Sequence, residues 1–484
     1  MEQAAVRSAR QNEGAERLIR NIFEKQQANR WRVSGTTAVE RIEKLKKLKE
    51  AILSRQGELQ QAIHDDFKKN PGEVDVTEVF PVVAEIGHAI RHLSGWMKPH
   101  RVKTPFVLFG TRSEVRYEPK GVVLILSPWN YPFQLLLSPL VAAIVAGNCA
   151  ILKPSAKVPQ TSAFLKRLIT DLFPEDEIAL IEGGHDMADA LLELPFDHIF
   201  FTGSPPIGRR VMGAAAKNLA SVTLELGGKS PVIVDETADL KKTAERLVWG
   251  KFINAGQTCV APDYLLIDKR LEADFIREAK SVIESRYGKD DASQEASGDF
   301  CRLVTREHLQ HLKSLLDASV QAGARIETGG KINSEGRYLS PTLLSNVRQS
   351  TPIMREEIFG PILPILTFER LEEAIQAVQS RPKPLALYIF SKNSGNIEQI
   401  LRTTSAGGTC VNSLIIHLAN ADLPFGGIGE SGMGNYHGFY GFKTFSHERA
   451  VLRQGRIDIL RFFYPPYTRS VRAIIRLATK FFAR

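Results

Sequence analysis

A thiol and a carboxylate are the residues of this sequence that could do covalent chemistry. Cys259 lies in the segment GQTCVAPD at 256–263, and Glu225 lies in LELGGKSP at 224–231. Glycine and proline flank both residues, which predicts that each sits in a loop or at the end of an element. A thiol and a carboxylate together can form a covalent intermediate and then hydrolyse it. Taken alone, however, a single cysteine is more often a small buried hydrophobe.

Polar groups that could bind a substrate or a cofactor follow several apolar runs. Asn130 stands between two prolines in PWNYPF at 128–133. An amide held there can donate to an oxyanion, although satisfying loop backbone groups is its commoner role. Lys153 follows a second apolar run, at the edge where open α/β sheets bind ligands. Glu357 lies in REEIFGP at 355–361, a segment that on its own is typical of an ordinary loop.

Two glycine-containing segments are candidate phosphate loops. Residues 427–432 match the dinucleotide pattern G-x-G-x-x-G. We reject this match because no strand–helix–strand unit with a suitably placed acidic residue can follow it. The segment FTGSPPIG at 201–208 follows a predicted strand and leads into a predicted helix at 207–216, which offers backbone N–H groups to a phosphate. Its spacing is neither that of a Rossmann fingerprint nor that of a Walker loop, so the local pattern leaves this role open.

Alternating strands and helices must position these residues. Apolar runs predict a first series of strands at 122–126, 149–152, 178–181, 198–201 and 221–224. Helices are predicted between them, including 159–172 and 187–194. A second series of strands is predicted at 232–234, 363–368, 385–390 and 409–412. This alternation predicts an α/β protein with parallel, doubly wound sheets. A boundary near Leu226 then puts Glu225 and Cys259 on the two sides of a cleft, where sites are usually found.

The two ends of the chain have patterns of their own. The N-terminal hundred residues predict helices, with a capping box from Thr37 to Glu40. Residues 106–117 alternate around Gly110 and predict a hairpin that could serve as an arm or linker. From Arg469 onward cations recur three or four residues apart with apolar residues between them, which predicts a basic amphipathic helix. Such a helix could lie on an anionic membrane surface, or it could dock on its own protein or on a partner subunit.

The composition is that of an ordinary globular protein with more than one domain. The chain has 484 residues, of which 43% are hydrophobic and 24% charged, and a formal net charge of +9. Its four cysteines are scattered without a C-x-x-C pair, which argues against a disulfide framework or a zinc site and for a reducing compartment. The polar N-terminus lacks the apolar core of a signal peptide. We therefore expect a cytoplasmic protein with no metal site and no nucleic-acid partner.

Together and in this order, these motifs resemble those of the aldehyde dehydrogenase superfamily, and the match covers nearly the whole chain. The resemblance is strongest to class 3 aldehyde dehydrogenases, including the fatty aldehyde enzymes. It rests on PWNYPF at 128–133, GQTCVAPDY at 256–264, the stretch from PFGG through SGMG to YHG at 424–438, and FSH at 445–447. The resemblance implies two α/β domains, a Rossmann-like cofactor domain and a catalytic domain, together with an oligomerisation arm and a homodimer.

The resemblance also implies domain limits along the chain. The NAD(P)-binding domain with its N-terminal helices would cover 1–104 and 118–226, and a bridging hairpin would cover 105–117. The catalytic domain would cover 227–425, followed by a C-terminal signature and oligomerisation segment at 426–460. The basic amphipathic tail would cover 461–484.

By this resemblance, Cys259 is the nucleophile that adds to an aldehyde carbonyl. The amide of Asn130 and the backbone N–H of Cys259 would stabilise the resulting oxyanion. After hydride transfer to the cofactor, Glu225 would activate the water that hydrolyses the thioester. Tyr131 and Trp249 align with aromatic positions near the substrate channel, which suggests medium- or long-chain aliphatic, or aromatic, aldehydes. Simple packing is an equally good explanation for these two residues.

The cofactor residues follow from the same resemblance. Glu357 would hold the nicotinamide ribose, with Phe359 packed nearby, while Ser204 would contact the pyrophosphate and Lys153 the adenosine ribose. The other cofactor-binding residues that the matched motifs imply are Trp129, Gly203 and Gly208.

Ala156 is a departure from the family pattern that concerns cofactor choice. The family commonly has a glutamate three residues after the lysine, where this chain has Ala156. A carboxylate there would repel a 2′-phosphate. The alanine therefore predicts that NAD and NADP are used alike.

Two alternative functions remain at this point. An acylating dehydrogenase would pass the acyl group to coenzyme A, but Glu225 argues against it because that chemistry needs no hydrolytic base. A non-catalytic binding protein on the same fold is the other alternative. The presence of Cys259, Asn130, Glu225 and Glu357 together argues against it.

Overall fold

Two largely parallel β-sheets and a separate antiparallel ribbon form the framework of the chain. The computed structural model describes residues 2–482, with all side chains in that range except those of residues 2–13, 15, 107, 460, 462, 481 and 482. The strands are β1 His100–Val102, β2 Thr111–Pro119, β3 Val122–Leu126, β4 Cys149–Lys153, β5 Ile178–Leu180, β6 His198–Gly203, β7 Ser221–Leu226, β8 Pro231–Val234, β9 Tyr264–Asp268, β10 Arg325–Thr328, β11 Ile332–Asn333, β12 Tyr338–Leu339, β13 Thr342–Ser345, β14 Ile362–Phe368, β15 Ala386–Phe390, β16 Gly408–Val411, β17 Gly432–Met433 and β18 Ser446–Gln454.

Helices cover both sheets and form the N-terminal region. The α-helices are α1 Glu2–Ser34, α2 Ala38–Ser54, α3 Gln56–Phe67, α4 Pro71–Val74, α5 Phe80–Trp96, α6 Gln134–Ala146, α7 Pro159–Leu172, α8 His185–Leu192, α9 Pro205–Lys217, α10 Leu240–Phe252, α11 Glu272–Tyr287, α12 Asp291–Ala296, α13 Arg306–Gln321, α14 Leu371–Gln379, α15 Ser394–Thr403, α16 Gly438–Thr444 and α17 Arg469–Phe482. A π-helical turn, Asp75–Val79, joins α4 to α5. Short 3-10 turns occur at Phe106–Leu108, Ile253–Gly256, Lys269–Leu271, Pro352–Met354, Ile416–Ala419 and Leu460–Phe463.

The first sheet has the strand order β17-β7-β6-β3-β4-β5. Its pairs are parallel except for β17, which runs antiparallel to β7. The chain builds outward from β3 to β4 and β5, and it then returns to place β6 and β7 on the other side of β3. In an open α/β sheet, ligands bind where the strand order reverses, beyond the carboxyl ends of the strands. The segments that carry Asn130 and Ser204 leave β3 and β6 at this reversal.

The second sheet has the order β10-β13-β14-β9-β8-β15-β16 and is parallel except for β10. The first sheet takes its five parallel strands from residues before 227, and the second takes all of its strands from 231–411. This distribution supports a domain boundary near Leu226, which we retain as a proposal. Strand β17 crosses that boundary, because Gly432 pairs with Glu225.

The α/β fold and its strands are confirmed. Every strand predicted from the two apolar series is present, with its ends within two residues of the prediction. Helix α7 has the predicted bounds, whereas α9 begins earlier than predicted, at Pro205. The early start is explained by Pro205 and Pro206 in the first turn, where proline is favoured. The capping box is also confirmed, since Glu40 N–H donates to Thr37 Oγ1 at 3.3 Å and Thr37 N–H donates to Glu40 Oε2 at 2.7 Å.

The hairpin predicted at 106–117, and with it the bridging hairpin at 105–117, is wrong in its pairing. Phe106–Leu108 is a 3-10 turn, and the strand after Gly110 is β2. Strand β2 pairs with three residues of β1 on one side and, along its whole length, with β18 on the other. Residue alternation predicts that a segment is a strand but not which segment it pairs with, and here the main partner lies at 446–454.

The C-terminal tail forms the predicted helix, α17. Ile474 and Leu477 on it remain 43% and 72% exposed, whereas Val471, Ile475 and Ala478 are half-buried, so this helix buries only part of its apolar surface on its own chain. Within residues 2–482, no helix combines the length and the apolar character needed to cross a membrane.

Candidate active site

Cys259 lies in a loop whose backbone is held in an unusual conformation. The loop joins α10 to β9, and Asn254, Ala255 and Gly256 have φ angles of 54°, 51° and 73°. Left-handed geometry is costly for residues other than glycine and persists only when surrounding contacts fix it. A Cβ on Gly256 would overlap the carbonyl of Gly360. The loop is therefore a fixed structure, with its thiol partly exposed to a cavity.

Asn130 is hydrogen-bonded to the same loop. Its amide is 2% exposed, and Nδ2 donates to the carbonyl of Gln257 at 3.0 Å. In return, Asn254 Nδ2 donates to the Asn130 carbonyl at 2.9 Å and to the Gln257 carbonyl at 3.0 Å. These three bonds fix the position of the Asn130 amide relative to the segment that leads into Cys259.

Glu225 lies near the end of β7 and is 3% exposed. Neither of its carboxylate oxygens has a hydrogen-bond partner in the described part of the chain. Burial raises the pKa of this carboxyl well above its ordinary value. A buried carboxyl with no partner is costly to the fold. A buried carboxyl with these properties is a candidate for a functional site.

The thiol of Cys259 is protonated at neutral pH. Burial raises its pKa to about 12, and the negative charges of Glu357 and Glu225 act in the same direction. Because the thiolate is the nucleophilic form of cysteine, the proton must leave as the sulfur attacks. The charges of Glu225 and Glu357 therefore influence how readily the Cys259 thiol loses its proton.

Glu357 lies beside Gly227, and its neighbours in the chain are bound by the ion pair of Lys229 and Asp263. Lys229 Nζ donates to the Asp263 carboxylate and to the carbonyl of Glu356, the latter at 2.7 Å, while Asp263 Oδ1 accepts from Ile358 N–H at 2.8 Å. A Cβ on Gly227 would overlap the Glu357 carboxylate. Burial raises the pKa of Glu357 to about 8, and the charge of Asp263 adds to this shift. One ion pair thus connects the segments that carry Glu225, Cys259 and Glu357.

Trp129 and Phe359 meet at the same side of the site. Their rings pack edge to face with centroids 5.4 Å apart. The backbone of Phe359 has φ 50°, and its carbonyl lies 2.8 Å from His308 Nε2. The ammonium of Lys157 lies 5.8 Å from the Trp129 ring centroid. The sequence predicted Trp129 and Phe359 but not His308 or Lys157, since no local motif connects these two residues to the site.

The segment 203–208 offers fewer donors to a phosphate than its position predicted. Ser204 is the N-cap of α9, and its side chain makes no capping bond. Pro205 and Pro206 lack N–H groups, and Gly208 N–H donates to the Ser204 carbonyl at 2.9 Å. Within the described residues, the Ser204 hydroxyl and the backbone N–H groups of Ser204 and Ile207 therefore remain. A Cβ on Gly208 would come 2.7 Å from Leu226 Cδ2, so this glycine allows α9 to pack closely against β7.

Lys153 and Gly203 complete the predicted cofactor set. Lys153 is 7% exposed, and its ammonium donates to the carbonyls of Gly183 at 2.8 Å and Pro154 at 3.1 Å. Burial lowers the pKa of this amine. A Cβ on Gly203 would lie 2.5 Å from the ring of Phe201. Both residues stand at the carboxyl ends of parallel strands, β4 and β6.

A cavity of about 450 Å³ opens beside Cys259. Tyr131 and Trp249, predicted near a substrate channel, both line it, and the Tyr131 hydroxyl lies 2.6 Å from Thr258 Oγ1. The sequence did not predict that α5 and the C-terminal segment supply much of the remaining wall. That part of the wall includes Phe80, Glu85, Phe425, Tyr436 and His437. Phe425, Tyr436 and His437 lie inside the matched C-terminal motif, whereas nothing in the sequence indicated Phe80 or Glu85.

Nothing in the described part of the chain resembles a metal centre. No group of three His, Cys, Asp or Glu side chains there is arranged to hold a metal ion.

Comparisons with known proteins agree along nearly the whole length. The family model described as "Aldehyde dehydrogenase family" matches residues 4–451. The 4,4'-diaponeurosporen-aldehyde dehydrogenase of Staphylococcus aureus is 46% identical over 428 residues, which cover 88% of this chain and 92% of that protein. Aldehyde dehydrogenase family 3 member B1 of Bos taurus is 43% identical, with 92% and 94% covered. The substrate-bound state of Staphylococcus aureus AldH superposes with a TM-score of 0.90 at 43% identity, with 95% of this chain and 99% of that chain covered.

Proposed function

Because the chain belongs to the aldehyde dehydrogenase family, and so oxidises aldehydes to carboxylic acids with NAD(P)+, we propose that Cys259 is its nucleophile. The observation that carries this proposal is that Glu225 and Glu357 lie close enough to raise the pKa of the Cys259 thiol, beside the Asn130 amide that is held by its bond to Gln257. A cysteine kept for packing alone would need none of these neighbours.

In the first step, Sγ of Cys259 bonds to the carbonyl carbon, and the thiol proton passes to water in the cavity that the thiol faces. The carbonyl oxygen becomes an oxyanion. One Nδ2 proton of Asn130 is used on Gln257, and the second remains for this oxyanion. Losing such a donor costs about 3–4 kcal/mol of barrier.

The residues around the cleft fit a dinucleotide. Among the residues that the structure describes, the Ser204 hydroxyl makes no capping bond and Thr202 Oγ1 is buried without a partner. Glu357 would hold the nicotinamide ribose beside Trp129 and Phe359, and Lys153 would contact the adenosine ribose. When bound, NAD(P)+ supplies the hydride acceptor that converts the thiohemiacetal on Cys259 into a thioester.

Glu225 then acts as general base for hydrolysis. It takes a proton from a water that attacks the thioester carbon, and the Cys259 thiolate leaves as the acid is released. The raised pKa of Glu225 makes its carboxylate form a stronger proton acceptor than an exposed carboxylate, and the carboxyl must release its own proton before it takes this part. Its lack of competing hydrogen bonds supports this role.

The test is Cys259→Ala assayed with a panel of aldehydes and both cofactors. We expect turnover to be abolished and cofactor binding, followed by quenching of tryptophan fluorescence, to stay close to that of the wild type. Cys149→Ala is the control, because Cys149 is fully buried in β4 and does not line the cavity. Dehydrogenase activity that survives Cys259→Ala would show that another residue is the nucleophile.

The substrates that the cavity favours are medium- or long-chain aliphatic, or aromatic, aldehydes. Its wall is mainly apolar and aromatic, with Tyr131 and Trp249 among its residues. Replacing Trp249 by alanine should raise KM for long alkanals more than for acetaldehyde, since only the longer chains reach the wall. An equal change for both would argue against this substrate class.

Cofactor choice should be broad. Ala156 is exposed and carries no charge that could repel a 2′-phosphate. We expect similar kcat/KM values for NAD and NADP, and we expect Ala156→Glu to lower the value for NADP selectively. A strong NAD preference in the wild type would refute the inference from Ala156.

The α17 helix is a candidate for peripheral membrane contact. Its exposed Ile474 and Leu477 alternate with arginines, as in helices that lie in a membrane interface. Co-sedimentation with anionic liposomes should be strong for the full chain and weak for a chain truncated after Tyr467. Equal sedimentation of the two would exclude this role for the tail. We expect a cytoplasmic protein whose contact with the membrane is reversible.

A homodimer is the assembly that the antiparallel ribbon supports. Phe106, Phe109, Leu452 and Ile457 on or beside β2 and β18 are each more than half exposed. Exposed apolar side chains on a ribbon edge are typical of a partner interface. Sedimentation equilibrium should give twice the chain mass, and Leu452→Glu should shift the protein toward the monomer.

A further inference from the structure

A buried carboxylate–imidazole pair lies in the wall of the cavity that contains Cys259. Glu85 from α5 and His437, just before α16, both line this cavity and are 7% and 6% exposed. His437 Nδ1 lies 3.3 Å from Glu85 Oε2, and Glu85 Oε1 accepts from Gly438 N–H at 2.7 Å. The pair takes no part in the steps assigned to Cys259, Asn130 and Glu225.

The backbone of His437 is held in a conformation that a packing residue would not need. Its φ and ψ are 77° and 140°, close to a region that glycine occupies almost alone. Such strain costs on the order of a few kcal/mol and persists only where surrounding contacts impose it. Here the contacts are the Gly438 bond to Glu85 and the packing of the imidazole on Tyr436, with ring centroids 4.0 Å apart. Glycine would adopt this backbone conformation with less strain, yet the position carries an imidazole that lines the cavity.

The bond to Glu85 sets which group the imidazole presents. The carboxylate faces Nδ1, so the neutral ring carries its proton there and its Nε2 is a hydrogen-bond acceptor. Within the described residues, Nε2 has no protein partner. Because His437 lines the cavity, a ligand there that carries a hydrogen-bond donor can bond to this nitrogen.

We propose that His437, oriented by Glu85, is a substrate-binding residue that selects aldehydes carrying a hydroxyl group away from the reacting carbonyl. This inference rests on the proposed function, since it assumes that the cavity admits the aldehyde to Cys259. The apolar wall accepts the carbon skeleton, and the imidazole accepts a hydrogen bond from the hydroxyl. Glu85 is then a positioning residue, because it acts only by fixing the tautomer and orientation of His437.

The test compares three matched aldehydes at each chain length from hexanal to dodecanal. One ends in a methyl group, one in a hydroxyl and one in a methoxy group, and the measured quantity is the ratio of their kcat/KM values. In the wild type we expect the hydroxyl compound of the best-fitting length to exceed the other two by about tenfold to a hundredfold. The methoxy compound lacks the proton that Nε2 requires, so it should gain nothing over the alkanal.

Two variants test whether the preference for the hydroxyl compound comes from His437 and Glu85. His437→Leu should reduce the hydroxyl-to-methyl ratio to near one. Glu85→Gln reverses the proton arrangement, because the glutamine amide donates to Nδ1 and Nε2 becomes a donor. In this variant, kcat/KM of the methoxy compound should exceed that of the alkanal by about the factor by which the hydroxyl compound exceeds the alkanal in the wild type. His88→Leu, which removes another histidine of the same cavity, should leave the ratios unchanged.

Failure of this inference is distinguishable from failure of the proposed function. A wild type that oxidises alkanals but shows no hydroxyl preference at any length, or a preference that His437→Leu retains, overturns the role of His437 alone. A wild type that oxidises none of the three series overturns the proposed function.

Discussion

Replacing Glu225 by glutamine should remove a proton acceptor and almost nothing else. Neither carboxylate oxygen has a hydrogen-bond partner in the described part of the chain, so the substitution breaks no hydrogen bond there. Glutamine has nearly the same size and shape, so the packing around this buried side chain is kept. Catalysis and folding should therefore respond in different ways.

The expected loss in kcat is about 10²–10⁴-fold, the usual contribution of a positioned general base. Hydride transfer precedes hydrolysis, so the thioester on Cys259 should accumulate in the variant. Stopped-flow absorbance should show a burst of reduced cofactor close to one equivalent per active site, followed by a slow steady state. Mass spectrometry of the quenched enzyme should find the acyl group on Cys259.

The stability of the same variant gives a second measurement with a defined sign. Burial raises the pKa of Glu225, so the folded protein binds more protons than the unfolded chain above the ordinary carboxyl pKa of about 4.3. Wild-type stability therefore contains a contribution that falls as pH rises from that value through the raised pKa. Glutamine does not titrate, so the variant does not lose stability in this way as pH rises. Its melting temperature should match that of the wild type in acid and exceed it increasingly toward neutral pH.

Glu356→Gln is the control for both measurements, since that carboxylate is half exposed and outside the site. A Glu225→Gln enzyme with kcat within a few-fold of the wild type would refute the assignment of the hydrolytic base. So would a variant in which the burst itself is slowed as much as the steady state. In that case Glu225 would serve the attack of the thiol and not the attack of water.

Three further predictions follow from the contacts around the site. Alkylation of Cys259 by iodoacetamide in the cofactor-free enzyme should accelerate about tenfold per pH unit through pH 9, because its pKa is raised to about 12; a plateau near neutrality would contradict this. Glu357→Gln should raise the cofactor KM far more than Glu356→Gln, and equal effects would exclude Glu357 from the ribose site. Lys229→Met leaves the buried carboxylate of Asp263 without its cation and should cost about 3–5 kcal/mol in denaturant unfolding. Adding Asp263→Asn should recover most of that loss, and no recovery would refute the ion-pair explanation.

Features with a local physical cause were predictable from the sequence. The capping box of Thr37 and Glu40 needs only four consecutive residues, and nine of the thirteen strands of the two sheets were predicted as apolar runs, whereas β9, β10, β13 and β17 were missed. The same holds for Ser204, which directly follows β6, and for Lys153, which is the last residue of β4. For these residues, the end of a parallel strand fixes the position before any tertiary contact is known.

Features made by distant segments were not predictable from local patterns. The alternation in β2 predicted a strand, but its partner is β18, which no nearby residue indicates. Glu85 and His437 meet only because α5 and the C-terminal segment pack together in the cavity wall. The reduced donor set at Ser204 is a different case, because the missing N–H groups of Pro205 and Pro206 could have been read from the sequence.

Burial has the same effect on each titratable group of the site. It raises the pKa values of Cys259, Glu225 and Glu357, and it lowers that of the neighbouring Lys251 to about 8. Each of these four shifts favours the uncharged form of its group, so burial reduces the charge that these groups carry before the aldehyde enters. The charge of the reaction then develops on the carbonyl oxygen, where the amide of Asn130 is already fixed by its bond to Gln257. A donor that needs no reorganisation in a water-poor cavity is worth more than the same donor in solvent. The burial that weakens the resting thiol as a nucleophile therefore also strengthens the stabilisation of its transition state.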